Sequence, residues 1–319
     1  MIKSTMELHS FCKYANYMLQ GAVNSIKKDL MPEATIKEPD YLAAIVTKFP
    51  ALMNTMWGNV RFGGCYIHQK PYVTTKNGGD TCEAGDLLVL CRKMGEREVI
   101  INATLFQLKK AECPYRPINP DNKKQYMLYS QWPEFSLGRK YKNAMARDIE
   151  PKAVTPGAQY MFINDFGLTF YEYDRIGCCS DCPTLFTHTI PYPVMPNRRD
   201  LSFGRFLWEF INWQTGRPIA PYEKLANDGW SKFIWDLIVR TQNAKISNIN
   251  VGIQKNHNIS RQQGDFFHFM TTDDCICHLP QDYYAMDRGN DSEEPHVLSD
   301  YNEEFEGAIS ILFIDVDMD

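Results

Sequence analysis

Two apolar runs in the first third of the chain constrain its fold more than any other feature. Glu83-Ala-Gly-Asp86-Leu-Leu-Val-Leu and Leu105-Phe-Gln107-Leu-Lys109-Lys110 both read as β-strands. Each carries polar residues where a core strand should be apolar. Asp86 opens the first run. Gln107 and Lys109 interrupt the second on a single face, because side chains two apart in a strand point the same way. Buried polar groups are tolerated only where they find partners. An acid on one strand and an amide and an ammonium on its neighbour are therefore expected to meet at a site.

The elements around these strands follow from periodicity and punctuation. Residues 6–28 place apolar side chains at helical spacing, and a second helix is expected from Glu38, where Pro39 and the acids Glu38 and Asp40 suit a first turn. Residues 60–73 read as one strand bent near Gly63-Gly64. Asn77-Gly-Gly-Asp80 and Met94-Gly-Glu-Arg97 are turn sequences that bracket the strand 86–93, and a longer strand follows over 98–109. A proline-rich connection leads to a helix over 122–132, stopped by Pro133, and then to a strand over 159–163. From Glu38 the order is helix, three strands, helix, strand. Farther on, helices are expected over 203–213 and 230–241, an acidic exposed loop over 282–302, and a buried late strand over 307–316.

Chemistry enters through the residue types. A divalent ion that activates water on a phosphodiester takes hard oxygen ligands. Asp86 is the expected carboxylate ligand, Gln107 a neutral oxygen donor, and Glu83 and Glu38 the candidate additional acids. Lys109 is suited to orient a water or to stabilise developing charge.

These residues resemble the PD-(D/E)xK superfamily, with Asp86 as the first acid and Gln107-Leu-Lys109 as a QxK variant of the triplet. Gln125-Tyr-Met-Leu-Tyr129 is similar to the QxxxY motif of RecB-type nucleases, and residues four apart share a helix face. The segments His68-Gln-Lys-Pro71, Glu83 to Leu88 and Trp132-Pro-Glu-Phe135 also resemble an uncharacterised bacterial family. The likeness covers residues 36–165. It implies an α/β fold, a restriction-endonuclease-like αβββαβ core over 1–165, with an α+β extension over 166–319 that is either separate or packed on the core as one unit. It further implies a nuclease dependent on Mg²⁺ or Mn²⁺. The expected substrate is DNA, and a bacterial restriction or antiphage defence complex is the implied setting. Asp86, Gln107, Lys109, Glu38, Gln125 and Tyr129 are the implied catalytic set, with Asp86, Gln107 and Glu83 at the metal.

A rival signal lies in the cysteines. Cys178-Cys179-Ser-Asp-Cys182, with His188 beyond, contains the CxxC spacing that lets two thiolates grip one ion, and Cys275-Ile-Cys277-His278 could complete it. Cys179, Cys182, Cys275 and Cys277 are thus candidate ligands of a structural Zn²⁺. The alternative function is a catalytically degenerate nucleic-acid-binding or assembly subunit, stapled by that zinc. Buried reduced thiols would explain the same residues with no metal.

Bulk properties exclude little. Net charge is -5 for 319 residues, so any nucleic-acid contact has to use a local basic surface. Short basic runs at Gly138-Arg139-Lys140-Tyr141-Lys142 and Asn197-Arg-Arg-Asp200 are candidates for phosphate contact. His68 is expected to be structural. No apolar run approaches the roughly 20 residues a membrane span needs. Residues 1–12 lack the apolar stretch of a secretion signal, and a reduced, cytoplasmic protein without membrane partners is expected. The oligomeric state is open.

Overall fold

A computed structural model describes residues 8–29, 36–54, 59–67, 71–76, 79–95, 98–110, 123–150, 157–163, 185–189, 201–243, 268–270, 276–278 and 307–317. Three layers are built around one large mixed sheet. Its central pair is β4 (Leu87–Met94) and β5 (Val99–Lys110), antiparallel, with Leu87 opposite Phe106 and Met94 opposite Val99. On one side of β5 lies β8 (Ala158–Ile163), parallel to it. Beyond β8 come β9 (Leu185–Thr189) and β10 (Leu201–Ser202). The first half of β5 is paired instead by β11 (Arg217–Ile219).

On the other side of β4 lies β14 (Ser310–Asp317), parallel to it, then β1 (Val60–Cys65), and last β12 (His268–Met270) and β13 (Ile276–His278). The late apolar run is thus a fully embedded strand. It comes from the far end of the expected extension and lies between two strands of the N-terminal half. The C-terminal residues therefore complete the same core instead of starting a second one. The expected order of consecutive core strands is interrupted at that point.

Alternation along these strands divides the interior into two cores. Leu87, Val89, Cys91, Phe106 and Leu108 face one way, into α1 (Leu8–Asp29), α2 (Glu38–Ala43), α3 (Phe49–Met53) and α5 (Phe203–Ile211). Leu88, Leu90, Ala103, Leu105 and Phe313 face the other way, toward α4 (Lys123–Gln131) and α6 (Gly229–Asn243). Coverage on both faces is why β4 reads as a nearly unbroken apolar run.

Helix ends follow local chemistry. The Lys37 N–H donates to Asp40 Oδ2 at 2.8 Å, closing the first turn of α2 around Pro39. A π-helical turn over Ala44–Lys48 joins α2 to α3. Helix α4 stops at Trp132, whose φ of 44° is left-handed. An αL residue other than glycine is disfavoured by roughly 1–2 kcal/mol. Full burial of the indole, stacked at 5.8 Å on Tyr129 and edge-on at 5.8 Å to Trp230, offsets that. Pro133 then prevents continuation.

The strand expected over 60–73 is two strands in two sheets. β1 belongs to the large sheet, whereas β2 (Tyr72–Thr75) lies in a small sheet of order β3-β2-β6-β7, with β3 (Thr81–Glu83), β6 (Phe135–Leu137) and β7 (Ala146–Arg147). Nor is Gly63-Gly64 a bend. Both glycines lie within β1, and a Cβ at Gly64 would sit 2.0 Å from the Val46 carbonyl oxygen. The glycine is required because the π-turn backbone rests directly on the strand. The acidic stretch 282–302, the run 197–200 and His68 lie outside the described residues.

Candidate functional site

Asp86 stands between the two sheets. Glu83 ends β3, Ala84 and Gly85 make the passage, and Asp86 precedes β4. Its N–H donates to the Phe106 carbonyl at 2.8 Å, continuing the β4–β5 ladder by one residue. This fixes the carboxylate beside β5. Asp86 Oδ2 accepts the Leu108 N–H at 2.7 Å and a hydrogen bond from Gln107 Nε2. Gln107 is fully buried, on the face of Leu105 and opposite to Phe106 and Leu108. Lys109 follows on the same face, partly exposed.

Helix α4 supplies the next shell of contacts. Gln125 Nε2 donates to Gln107 Oε1, and lies 3.3 Å from the Glu83 carbonyl oxygen. One turn later the Tyr129 hydroxyl donates to the Ala84 carbonyl at 2.7 Å. The i, i+4 pair therefore grips the passage that carries Asp86 from two points. Close approach explains Gly85: a Cβ there would meet the Leu105 side chain at 2.8 Å and the Tyr129 hydroxyl at 2.9 Å.

Electrostatics connect the remaining residues. Asp86 is half-buried by surface, yet its carboxylate lies deep enough that its pKa is pushed up to about 7. Burial is the largest cause, and the negative charges of Glu83 and Glu38 add to it. The Leu108 N–H and the Lys109 ammonium oppose it. Glu38 is in the first turn of α2, so the site collects residues from α2, β3, the passage before β4, β5 and α4. The Tyr129 phenol is held well above its ordinary range, mainly by burial and then by Tyr160 and Asp86. It stays a neutral donor. Cys82, next to Glu83, is pushed up to about 12 by burial and by Glu83, so it is a thiol and not a thiolate nucleophile at neutral pH.

Asp86, Gln107, Gln125 and Tyr129 are thus brought together by direct or one-residue contacts, and Glu83, Glu38 and Lys109 by charge proximity. Among the described residues no three His, Cys, Asp or Glu side chains converge as an ion-holding group. Cys179, Cys182 and Cys275 lie outside the described residues. Cys277 is on β13 and His188 on β9, strands seven positions apart in the sheet. No described helix is long and apolar enough to cross a membrane.

Three contributors escape a reading of motifs. The Leu108 N–H and the Ala84 carbonyl are backbone groups, which no residue type announces. Tyr160, on β8, packs its ring 5.7 Å from that of Tyr129. Its place in an alternating strand was the one available signal. The chain matches no protein-family model, no curated protein and no solved structure.

Proposed function

We propose that the protein is a divalent-metal-dependent nuclease that hydrolyses phosphodiester bonds, with DNA as the substrate. The observation that carries this reading is the convergence on Asp86 of Gln107 and the Leu108 N–H from β5, with Gln125 and Tyr129 reaching the same passage from α4. The Asp86 carboxyl is held near neutrality by burial and by Glu83 and Glu38, while an amide and an ammonium approach from β5. A carboxylate disfavoured first by burial and then by neighbouring acids is relieved by a cation. The donor chemistry also fits: carboxylate and amide oxygens suit Mg²⁺ or Mn²⁺, and Mg²⁺ needs only one or two protein carboxylates because it keeps waters and substrate oxygens. Asp86 and Gln107 would hold the ion, with Glu83 assisting. The bound ion supplies Lewis acidity toward the phosphate and a more acidic water.

The protein's own groups have separate tasks. Lys109 places positive charge where the phosphorane-like oxygens develop. Tyr129, a permanent donor, fixes the Ala84–Asp86 passage. Gln125 governs the amide of Gln107. Gln107 turns its nitrogen to Asp86 and its oxygen to Gln125. To offer its oxygen to an ion, Gln107 would turn over, and Gln125 would turn with it so that a donor still meets an acceptor. The connection β5–α4–β8, with β5 and β8 parallel, and the antiparallel β4–β5 pair support a restriction-endonuclease-like core. A setting in bacterial restriction or antiphage defence follows from that likeness.

A second reading rests on the same amide. With Gln107 engaged by Gln125 and in place of an acid, the site could serve binding without catalysis. The deciding experiment measures cleavage of plasmid and single-stranded DNA with Mg²⁺ or Mn²⁺, comparing wild type with Lys109→Ala and Asp86→Asn. Metal-dependent cleavage abolished by both substitutions is expected. Cleavage that survives them, or none by the wild type across both substrates and metals, would refute the nuclease reading.

A further inference from the structure

The small sheet carries the site toward a basic turn. Tyr72 on β2 is paired directly with Glu83 on β3, so their side chains lie side by side on one face. Thr74 and Ser136 continue that face, because Thr74 pairs with both Thr81 and Ser136. Val73 and Leu137 point the other way, into the core.

Residues 138–142 fold back over the polar face. Four hydrogen bonds pin them. The Gly138 N–H donates to the Tyr72 carbonyl at 2.7 Å and the Gly138 carbonyl accepts from Thr74 Oγ1 at 2.8 Å. Ser136 Oγ accepts the Lys142 N–H at 2.9 Å and donates to the Lys140 carbonyl at 3.3 Å. Gly138 has a φ of 112°, which a side chain would rarely allow. Thr74 and Ser136 are buried beneath the turn, whereas Arg139, Lys140 and Lys142 are exposed. Tyr141 is tucked aside, donating to Glu134 Oε1 at 2.6 Å. The Arg139 guanidinium lies over the Tyr72 ring, 4.4 Å from its centre. Glu83, Tyr72 and Arg139 thus form a continuous row that starts at the candidate site.

We propose that this turn, with Tyr72, binds a single-stranded segment of the nucleic acid whose phosphodiester is presented to Asp86. The inference rests on the nuclease reading for the identity of the chain and extends it to a substrate surface. A chain of net charge -5 needs a local cationic surface to hold a polyanion. Three cations on one pinned turn supply it with little ordering left to do on binding. The Tyr72 ring and the Arg139 guanidinium over it offer an aromatic ring and a cation to an unpaired base, which a duplex keeps hidden. One strand spacing and three residues of chain put Tyr72 within about 15 Å of Asp86, a reach of about four stacked nucleotides.

The test is fluorescence anisotropy of a labelled oligothymidylate with the full chain in EDTA, across a salt series. Arg139→Ala/Lys140→Ala/Lys142→Ala is expected to weaken binding at least tenfold and to flatten the slope of log K against log salt by about 2, from three phosphate contacts at roughly 0.7 each. Tyr72→Ala is expected to weaken binding several-fold, with Tyr72→Phe restoring it. Lys232→Ala, an exposed cation on α6, should change neither. A triple variant that keeps its melting temperature and binds within twofold of wild type overturns the proposal. So does a wild type that fails to bind, or that binds a duplex of the same length as tightly. The two readings fail separately. Binding lost in the triple variant with no cleavage by wild type removes the nuclease alone. Cleavage by wild type with binding unchanged in the triple variant removes this surface alone.

Discussion

Asp86→Asn separates what the site does from what it does to stability. The unfolded chain releases the Asp86 proton near the ordinary 3.8, whereas the folded protein keeps it up to about 7. Between those values the folded state binds more protons than the unfolded state, so its stability falls as pH rises through the window and stays low above it. Three pKa units correspond to roughly 4 kcal/mol at about 1.36 kcal/mol each. Partial exposure of the residue and local relaxation reduce the realised penalty to about 1–3 kcal/mol. Asparagine keeps an oxygen for the Leu108 N–H and has no proton to lose. Urea unfolding in EDTA should therefore show Asp86→Asn more stable than wild type by about 1–3 kcal/mol near pH 8, with the difference vanishing near pH 4. Excess Mg²⁺ should stabilise wild type and leave the variant unmoved. A difference independent of pH, or a variant less stable than wild type near pH 8, would refute the argument that like charge and burial strain this carboxylate.

Other substitutions probe the supports. Tyr129→Phe leaves the Ala84 carbonyl without its buried donor and should lower stability by about 1–2 kcal/mol in thermal or urea unfolding. Gly64→Ala forces a methyl into the Val46 carbonyl; a loss of about 3 kcal/mol or more is expected, read as a lowered melting temperature or insoluble expression. Arg92→Ala removes a two-point ion pair with buried Asp315, at 2.7 and 2.9 Å. Arg61 remains at 3.0 Å from Asp315, and a loss of about 3 kcal/mol by urea unfolding is expected. Gln107→Glu places a second carboxylate against Asp86. It should destabilise the protein in EDTA above neutral pH and tighten Mg²⁺ binding measured by calorimetry; a variant that is destabilised without gaining affinity would count against metal binding at this position.

How much of this was legible in the chain depends on the range of the interactions involved. The α4 pair Gln125 and Tyr129 and the alternation Gln107–Lys109 were readable because both rest on local periodicity, and local geometry alone sends each pair to one side. The same holds for β4, β5 and α4, whose bounds lie within a residue or so of those expected. What failed was long-range. Between residues 60 and 73 Pro71 is a local sign against one continuous strand, but which sheet each piece joins is decided by partners: β14 for the first piece, β3 and β6 for the second. Gly64 was read for its freedom to bend, although the structure uses only its lack of a side chain.

The position of β14 shows why a soft boundary near residue 165 left open whether the later residues stand apart or pack on the core as one unit. An apolar run of strand length fits an edge, a second sheet or the centre of an existing one, and periodicity is the same in all three. Here the pairing partners choose. Asp315 is buried opposite Arg61 and Arg92, the register residues on β1 and β4. Away from β1 and β4 that acid would lose both arginines. The two arginines, more than two hundred residues upstream, make the central slot the place where Asp315 is satisfied. The same rule governs the candidate site. Asp86 is tolerable between the sheets because Leu108, Gln107 and Lys109 answer it, and it remains chemically poised because burial, and after it Glu83 and Glu38, leave that answer incomplete.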